Sequence, residues 1–211
     1  MPDSLVEELQ YTVATLNLAL NDRQLDQLHH YAGLLIRWNK TYNLIGRSTE
    51  RDVVKRHLLD SLLVLAELND PKRCEHWADI GTGAGLPGIP LAIAMPNTRF
   101  TLIDSNSKKT RFLHQVIAEL KLHNVQAVHT RVEDHHSEPL YDLLISRAWA
   151  AMIDGLRQSA HLCKPGGRIC FMKGQKNEQE LLDASKQFTL LRCTELANEQ
   201  AARHLVEFLS E

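Results

Sequence analysis

One stretch of this chain combines the residue types needed to hold an anionic ligand against the backbone. It reads Asp79-Ile80-Gly81-Thr82-Gly83-Ala84-Gly85-Leu86-Pro87-Gly88, between a β-prone run and a helical one. Glycines there permit tight turns at positive φ and close approach of a ligand to the main chain. A helix opening behind them offers unpaired N–H groups and a partial positive charge, which suit a carboxylate or phosphate. Four glycines within residues 81–88 make an ordinary strand-to-helix turn a poor account of the segment. Asp104, nineteen residues after Gly85, closes the next β-prone run. A carboxylate at that place accepts hydrogen bonds from ribose hydroxyls. Its competing role is to cap the following helix, a task open also to Ser105 and Ser107.

Two cofactor classes fit the glycines. Gly83 to Gly88 matches the G-x-G-x-x-G of dinucleotide sites, which alone is weak evidence. Asp79 to Gly85 matches D-x-G-x-G-x-G and so resembles the first motif of class I S-adenosylmethionine-dependent methyltransferases. Asp79 then lies where a carboxylate can attract the methionine ammonium. Both cofactors carry a ribose, so Asp104 does not separate them. Later features favour the methyl donor. Val132-Glu133-Asp134 follows a third strand, where this class uses a backbone N–H and an acid to hold adenine. Leu162 to Gly167 is similar to the L-x-P-G-G turn before the fifth strand of these enzymes.

The acceptor belongs at the carboxyl end of the fourth strand, where the chain reads Ile145-Ser146-Arg147-Ala148-Trp149. This is not the [DNS]-PP-[YFW] of exocyclic-amine methyltransferases. No cysteine is present for a covalent route to a pyrimidine, and no general base is expected. The target is then an atom nucleophilic at neutral pH, such as guanine N7, and transfer to it depends on alignment and desolvation. Arg147 can hold the cofactor carboxylate or an RNA phosphate. Trp149 can stack on a base or pack in the core. Lys173, at the end of the fifth strand, can face the same cleft.

The elements that must position these groups fall into two regimes. Helical spacing of Leu5, Leu9, Val13, Leu16 and Leu20 predicts a helix over residues 4–20. A second helix, capped by Asp22, carries Leu25, Leu28, Ala32, Leu35 and Tyr42. A third, capped by Thr49, buries Val54, Leu58, Leu62 and Leu65 and ends at Asn69-Asp70-Pro71. Beyond Pro71, strands alternate with helices. Strands are predicted over 76–80, 99–103, 125–130, 140–146 and 168–173, with two last ones over 188–195 and 204–208. Helices are predicted over 87–95, 108–122, 152–163 and 178–185. Alternation of this kind requires crossover connections and hence a largely parallel sheet covered on both faces. The last two strands are joined closely enough for an antiparallel hairpin. The expected architecture is α/β and Rossmann-like. Residues 1–70 form a helical extension and residues 71–211 a cofactor-binding catalytic domain, together one compact unit.

The 211 residues are 44% hydrophobic and 24% charged, with a net charge of −2, an ordinary globular balance. No apolar run approaches the ~20 residues of a spanning helix. The first residues lack the pattern of a signal peptide, so a cytoplasmic protein without a membrane partner is expected. The four cysteines form no C-x-x-C pair and the eleven histidines no H-E-x-x-H or H-x-H, so no metal site is predicted. With so little net charge, attraction to a polyanion must come from a local patch. Arg37, Lys40, Arg47, Arg51, Lys55 and Arg56 stand against only Glu50 and Asp52. Lys108, Lys109 and Arg111 open the helix after Asp104. Trp38 and Tyr42, four apart on a helix, are expected in the core.

Several blocks are specific to one family. They are Arg37 to Leu44, Arg56 to Ser61, Asp79 to Pro90, Thr101 to Ser105, Arg131 to Glu133, Ile145 to Ala148 and Arg203 to Val206. Together they strongly resemble the RsmG (GidB) family of bacterial 16S rRNA guanine-N7 methyltransferases. The resemblance implies S-adenosylmethionine as cofactor and small-subunit rRNA as partner, acting as a monomer. Carried over from the family are Gly81, Leu86, Val132, Glu133 and Arg147; Asp79, Gly83, Gly85 and Asp104 come from the physical reading. RNA contacts are expected from Arg37, Lys40, Arg47, Lys55, Arg56, Lys108, Lys109, Arg111 and Lys173. Trp149 stands where the family usually has phenylalanine. The acidic stretch from Glu178 onward is expected to lie away from RNA. Two other readings stay open, an NAD-linked oxidoreductase and a non-catalytic rRNA-binding factor.

Overall fold

The computed structural model describes residues 18–46, 52–68, 75–196 and 202–211, with scattered positions between 7 and 16. The helix expected over 4–20 lies mostly outside these residues, as do Arg47, Thr49 and Asn69-Asp70-Pro71. Leu9 and Val13 are described, and both are buried in the main core.

Helix α1 (Asp22–Tyr42) begins at Asn21, not Asp22. The Asn21 side chain accepts from the Gln24 amide while the Gln24 side chain accepts from the Asn21 amide. This reciprocal pair satisfies two N–H groups, which one acid cannot do. A π-helical stretch (Val54–Leu59) runs into helix α2 (Asp60–Glu67). The wider π turn takes an extra residue and rotates the face that α2 presents to the core. Leu65 is therefore only partly buried, while His57, Asp60 and Ser61 turn inward.

The sheet has seven strands: β1 (His76–Ile80), β2 (Arg99–Asp104), β3 (Val125–His129), β4 (Tyr141–Arg147), β5 (Cys163–Lys173), β6 (Leu190–Leu196) and β7 (Arg203–Leu209). Their order is β3-β2-β1-β4-β5-β7-β6. The first five are parallel, and β7 runs antiparallel between β5 and β6. β5 is longer than expected. Pro165-Gly166-Gly167 does not break it but forms an irregularity, so that Tyr141 pairs with Cys163 and Leu143 with Arg168. Helices α3 (Gly88–Ala94), α4 (Ser107–Leu120), α5 (Met152–Ser159) and α6 (Glu178–Ser185) complete the fold. The 3-10 turn Ala160–Leu162 takes up the end of the helix expected over 152–163.

Alternating strand residues feed two cores. Trp77, Phe100, Leu102, Leu143 and Ile145 pack with α1, α2, α3 and α4. Ala78, Ile80, Ile103, Leu144 and Phe171 pack with α5 and α6 on the other face. Such double burial is normal for parallel strands. Trp38 stacks on Tyr42 at 5.2 Å and leans on Phe112, placing both aromatics at the edge of the first core. Glu207, 1% exposed, lies between Arg168 and Arg192, and Arg192 also reaches the Glu67 carbonyl, tying α2 to the terminal hairpin. No helix among the described residues is long and apolar enough to cross a membrane.

Candidate functional site

Strand order reverses between β1 and β4, which opens a crevice at the carboxyl ends of the parallel strands. A cavity of about 540 Å³ occupies it. Its wall comes from the end of each strand in turn: Gly81 after β1, Asp104 to Asn106 after β2, Thr130 to Glu133 after β3, and Ala148 with Trp149 after β4.

The glycine loop is built on a buried carboxylate. Asp79 Oδ2 accepts from the Thr82 hydroxyl and the Gly88 amide, both at 2.8 Å. Burial pushes the Asp79 carboxyl up to about 7, against those two bonds. Its side chain lies beneath the loop and does not line the cavity; Oδ1 accepts no hydrogen bond from the described residues. Gly83 has φ of 62°, and a Cβ there meets nothing closer than 3.8 Å, so there is room above it, although its amide is bonded to Asp104 and it does not itself line the cavity. Gly81, at φ of 65°, is instead covered by the Trp149 ring. Gly85 and Leu86 turn away from the cavity. A Cβ on Gly85 would strike Ile89 at 2.5 Å, and Leu86 is buried in the core. Both residues pack α3 against the sheet, and neither lines the cavity.

Asp104 lines the cavity and is 7% exposed. Oδ2 accepts from the Gly83 amide at 2.9 Å and Oδ1 from the Asn106 amide at 2.8 Å. The cap of α4 is Asn106, which accepts from Lys108 and Lys109, so neither Asp104, Ser105 nor Ser107 fills that role. Lys109 lies 3.8 Å from Asp104 Oδ2 and lines the same cavity, so this expected RNA contact belongs to the donor side. Val132 and Glu133 line it as well, on a 3-10 turn. The open glycine backbone, the carboxylate behind it and the adjoining polar turn fit a nucleoside-bearing amino acid.

A second cavity of about 240 Å³ is lined by Arg56, His57, Asp60, Arg147, Met172, Lys173 and Arg203, among others. Ala148, at φ of 52°, lines both cavities. Arg147 thus belongs to the second cavity. Its Nη2 lies 3.1 Å from His57 Nδ1. Burial, aided by Arg147, pulls the His57 imidazole down to about 4, so it is neutral and accepts from the guanidinium. Burial also draws Arg147 below its ordinary value, with Asp60 opposing. Arg203 donates to Asp60 Oδ2 at 2.7 Å. Lys173 lines this cavity with its ammonium engaged by the protein. Its Nζ donates to the Ala150 carbonyl at 2.9 Å and pairs with Glu180 at 2.8 Å.

The other described basic residues expected to contact RNA lie at the surface. Arg37 is exposed and pairs with Glu119 at 3.5 Å, and Arg56 pairs with Asp52 at 3.4 Å. Lys40, Lys55, Lys108 and Arg111 are exposed. Sequence reasoning misses His57, Asp60, Arg203 and Tyr31 as site residues. The buried Tyr31 hydroxyl donates to the Ala84 carbonyl at 2.8 Å and so ties α1 to the glycine loop. The available signal for the first three is that Arg56 to Ser61 and Arg203 to Val206 stand out as family blocks.

The fold is that of the class I S-adenosylmethionine-dependent methyltransferases. A SAM-dependent methyltransferase from Aquifex aeolicus matches with a TM-score of 0.61 over 82% of this chain and 98% of that one, at 16% identity. The N-methyltransferase NodS of Bradyrhizobium japonicum, in complex with S-adenosylhomocysteine, matches with a TM-score of 0.55 over 85% and 97%, also at 16% identity. Sequence narrows this further. The family model for rRNA small subunit methyltransferase G matches residues 24–206. The ribosomal RNA small subunit methyltransferase G of Ectopseudomonas mendocina is 43% identical over 95% of this chain and 94% of its own. That of Salmonella arizonae is 40% identical over 96% and 97%. The chain belongs to the rRNA small subunit methyltransferase G family, and the oxidoreductase reading falls away.

Proposed function

We propose that this protein transfers a methyl group from S-adenosylmethionine to N7 of a guanosine in small-subunit rRNA. The observation that carries the reading is the meeting of two unlike cavities at Ala148, one with balanced charges in its wall (Asp104 and Glu133 against Lys109 and Arg131), the other lined mainly by cations. The bound cofactor supplies an electrophilic methyl group. Gly81 and Gly83 offer main-chain contact, Asp104 offers its carboxylate to the ribose hydroxyls, and Val132 with Glu133 holds the adenine. Asp79 keeps the glycine loop in shape from below.

On the other side, Arg56, Arg147 and Arg203 suit RNA phosphate, since a planar guanidinium can bond two phosphate oxygens at once. Guanine N7 carries an in-plane lone pair and no proton, so the chemistry calls for no base. The second cavity agrees with that demand: Asp60 is engaged by Arg203 and His57 by Arg147. What remains for the protein is to exclude water and align the two reactants. The helices before residue 70 belong to the same working unit, because Tyr31 braces the glycine loop and the π-helical stretch supplies Arg56 and His57.

A rim of scattered, partly paired cations gives limited affinity for RNA alone, and the target base must be unstacked to present N7. An assembled or assembling small subunit supplies shape and flanking contacts. Labelled S-adenosylmethionine is expected to methylate small subunits and to leave a short isolated stem-loop nearly untouched. Equal rates on both, or calorimetric binding of NAD in place of S-adenosylhomocysteine, would overturn the proposal.

A further inference from the structure

The segment Ala148–Met152 bears on both cavities and is held by a group from outside them. Ala148 takes the left-handed conformation, which is uncommon for a residue with a Cβ. Trp149 lies so close over Gly81 that a Cβ on that glycine would meet its ring at 2.3 Å. Such conformations persist only where the surroundings over-determine them. Here the constraint is visible. Lys173 Nζ donates to the Ala150 carbonyl at 2.9 Å and to Glu180 Oε1 at 2.8 Å. The same Oε1 accepts the Met152 amide at 2.7 Å. Glu180 comes from α6, within the acidic stretch that sequence alone sets apart from the site.

We propose that Glu180 is a positioning residue. Through Lys173 and the Met152 amide it latches the Ala148–Met152 segment and fixes the Trp149 ring as a wall of the donor cavity. Both of its bonds are charge-assisted, as is the Lys173 bond to the Ala150 carbonyl that it supports. The effect on ligand binding rests on the methyl-donor reading; the latch itself does not.

Hydrogen exchange over residues 148–153 and calorimetry with S-adenosylhomocysteine test this together. The proteins are wild type, Glu180→Ala, Glu180→Gln, Trp149→Ala and the Trp149→Ala/Glu180→Ala pair. Asp183→Ala, on the same helix but bonded to Gln179 and Lys186, serves as control. Glu180→Ala should speed exchange at the Met152 amide at least about tenfold and weaken ligand binding by about the same factor. Glu180→Gln keeps an acceptor oxygen for that amide and should recover most of the loss. In the Trp149→Ala background the further loss from Glu180→Ala should stay within about twofold, because the two residues act along one path. The control should match wild type. Unchanged exchange in Glu180→Ala would overturn the latch. Equal loss of affinity in both backgrounds would overturn its action through Trp149. A wild-type protein that fails to bind S-adenosylhomocysteine would refute the methyl-donor reading, while the exchange comparison still decides the latch.

Discussion

The two cavities are built by opposite strategies. The donor side is local: one glycine loop, with acids and turns at the ends of adjacent parallel strands. Its wall sets Asp104 and Glu133 against Lys109 and Arg131 around the glycine loop, which Asp79 holds from below. The acceptor side is assembled from four distant stretches: the π-helical segment, the end of β4, the end of β5 and the start of β7. Its polar groups are long cationic side chains that restrain one another through His57 and Asp60. A site built around one loop is set by that loop's conformation, so changes in φ or in a supporting acid should damage it most. A site made of paired side chains is set by charge and fork geometry, so it should respond to side-chain identity and to pH.

The largest effect expected is from Gly83→Val. The space over Gly83 is open, so the folded chain tolerates the side chain there, but a branched residue at φ of 62° is strained and covers the backbone the ligand needs. Binding of S-adenosylhomocysteine should fall by more than about a hundredfold. Circular dichroism should still report a folded protein. Binding within about threefold of wild type would place the ligand elsewhere.

Asp104→Asn comes next. Both carboxylate oxygens already accept backbone N–H groups, and an amide can satisfy only one of them. It sets its NH2 against the other while losing the charge that strengthens a ribose contact. Affinity should drop about tenfold to a hundredfold, matching a charge-assisted bond of about 1.5–3 kcal/mol. An unchanged dissociation constant would remove Asp104 from the donor site.

Arg147→Lys tests the acceptor side. Lysine keeps the charge and loses the fork that spans His57 and a phosphate. Calorimetry should find cofactor affinity nearly unchanged, with transfer to small subunits reduced about tenfold. The reverse pattern, weak cofactor binding with normal transfer at saturation, would move Arg147 to the donor cavity.

The last effect concerns stability, not affinity or transfer, and is read through pH. The His57 value falls from 6.5 unfolded to about 4 folded. Below pH 6.5 the unfolded chain takes up a proton there that the folded chain refuses, so stability falls as pH drops from 6.5 toward 4. Asp79, raised on folding from 3.8 to about 7, works the other way, contributing stability at low pH that is lost as pH rises. Because the two overlap, the informative quantity is a difference. His57→Asn, which retains an acceptor for Arg147, should flatten the acid limb of denaturant-derived stability by roughly 2–3 kcal/mol between about pH 7 and 4. Parallel curves for wild type and variant would show that His57 does not titrate this way.

The same contrast explains what could be read in advance. The glycine loop, Asp104 and the strands were legible because their signals are contiguous: β-prone runs, glycines and an acid at a fixed interval. That Gly85 and Leu86 stand outside the cavity wall is not legible, because loop membership does not say which side of the loop faces the cavity; packing of α3 decides it. On the acceptor side, only its family block marks Arg203, and nothing in that block says which cavity it joins. It arrives through β7 entering the sheet antiparallel beside β5. The π-helical turn changes the helical phase between Val54 and Asp60, so an α-helical count puts Leu65 in the core and leaves Asp60 out of it. Lys109 and Lys173 look like free cations in sequence, yet Asp104 and Glu180 claim them in space. A count of basic residues cannot separate a cation that meets RNA from one that shapes its own protein.

The most direct measurement is nucleoside analysis after wild-type protein acts on small subunits lacking the modification, with isotopically labelled S-adenosylmethionine as donor. Digestion and mass spectrometry should return the label as 7-methylguanosine, at about one per particle, confined to a single guanosine of the 16S rRNA. Label in a methylated exocyclic amine, ribose or pyrimidine, or none at all from a protein that binds the cofactor, would contradict a base-free transfer to N7 across the junction at Ala148.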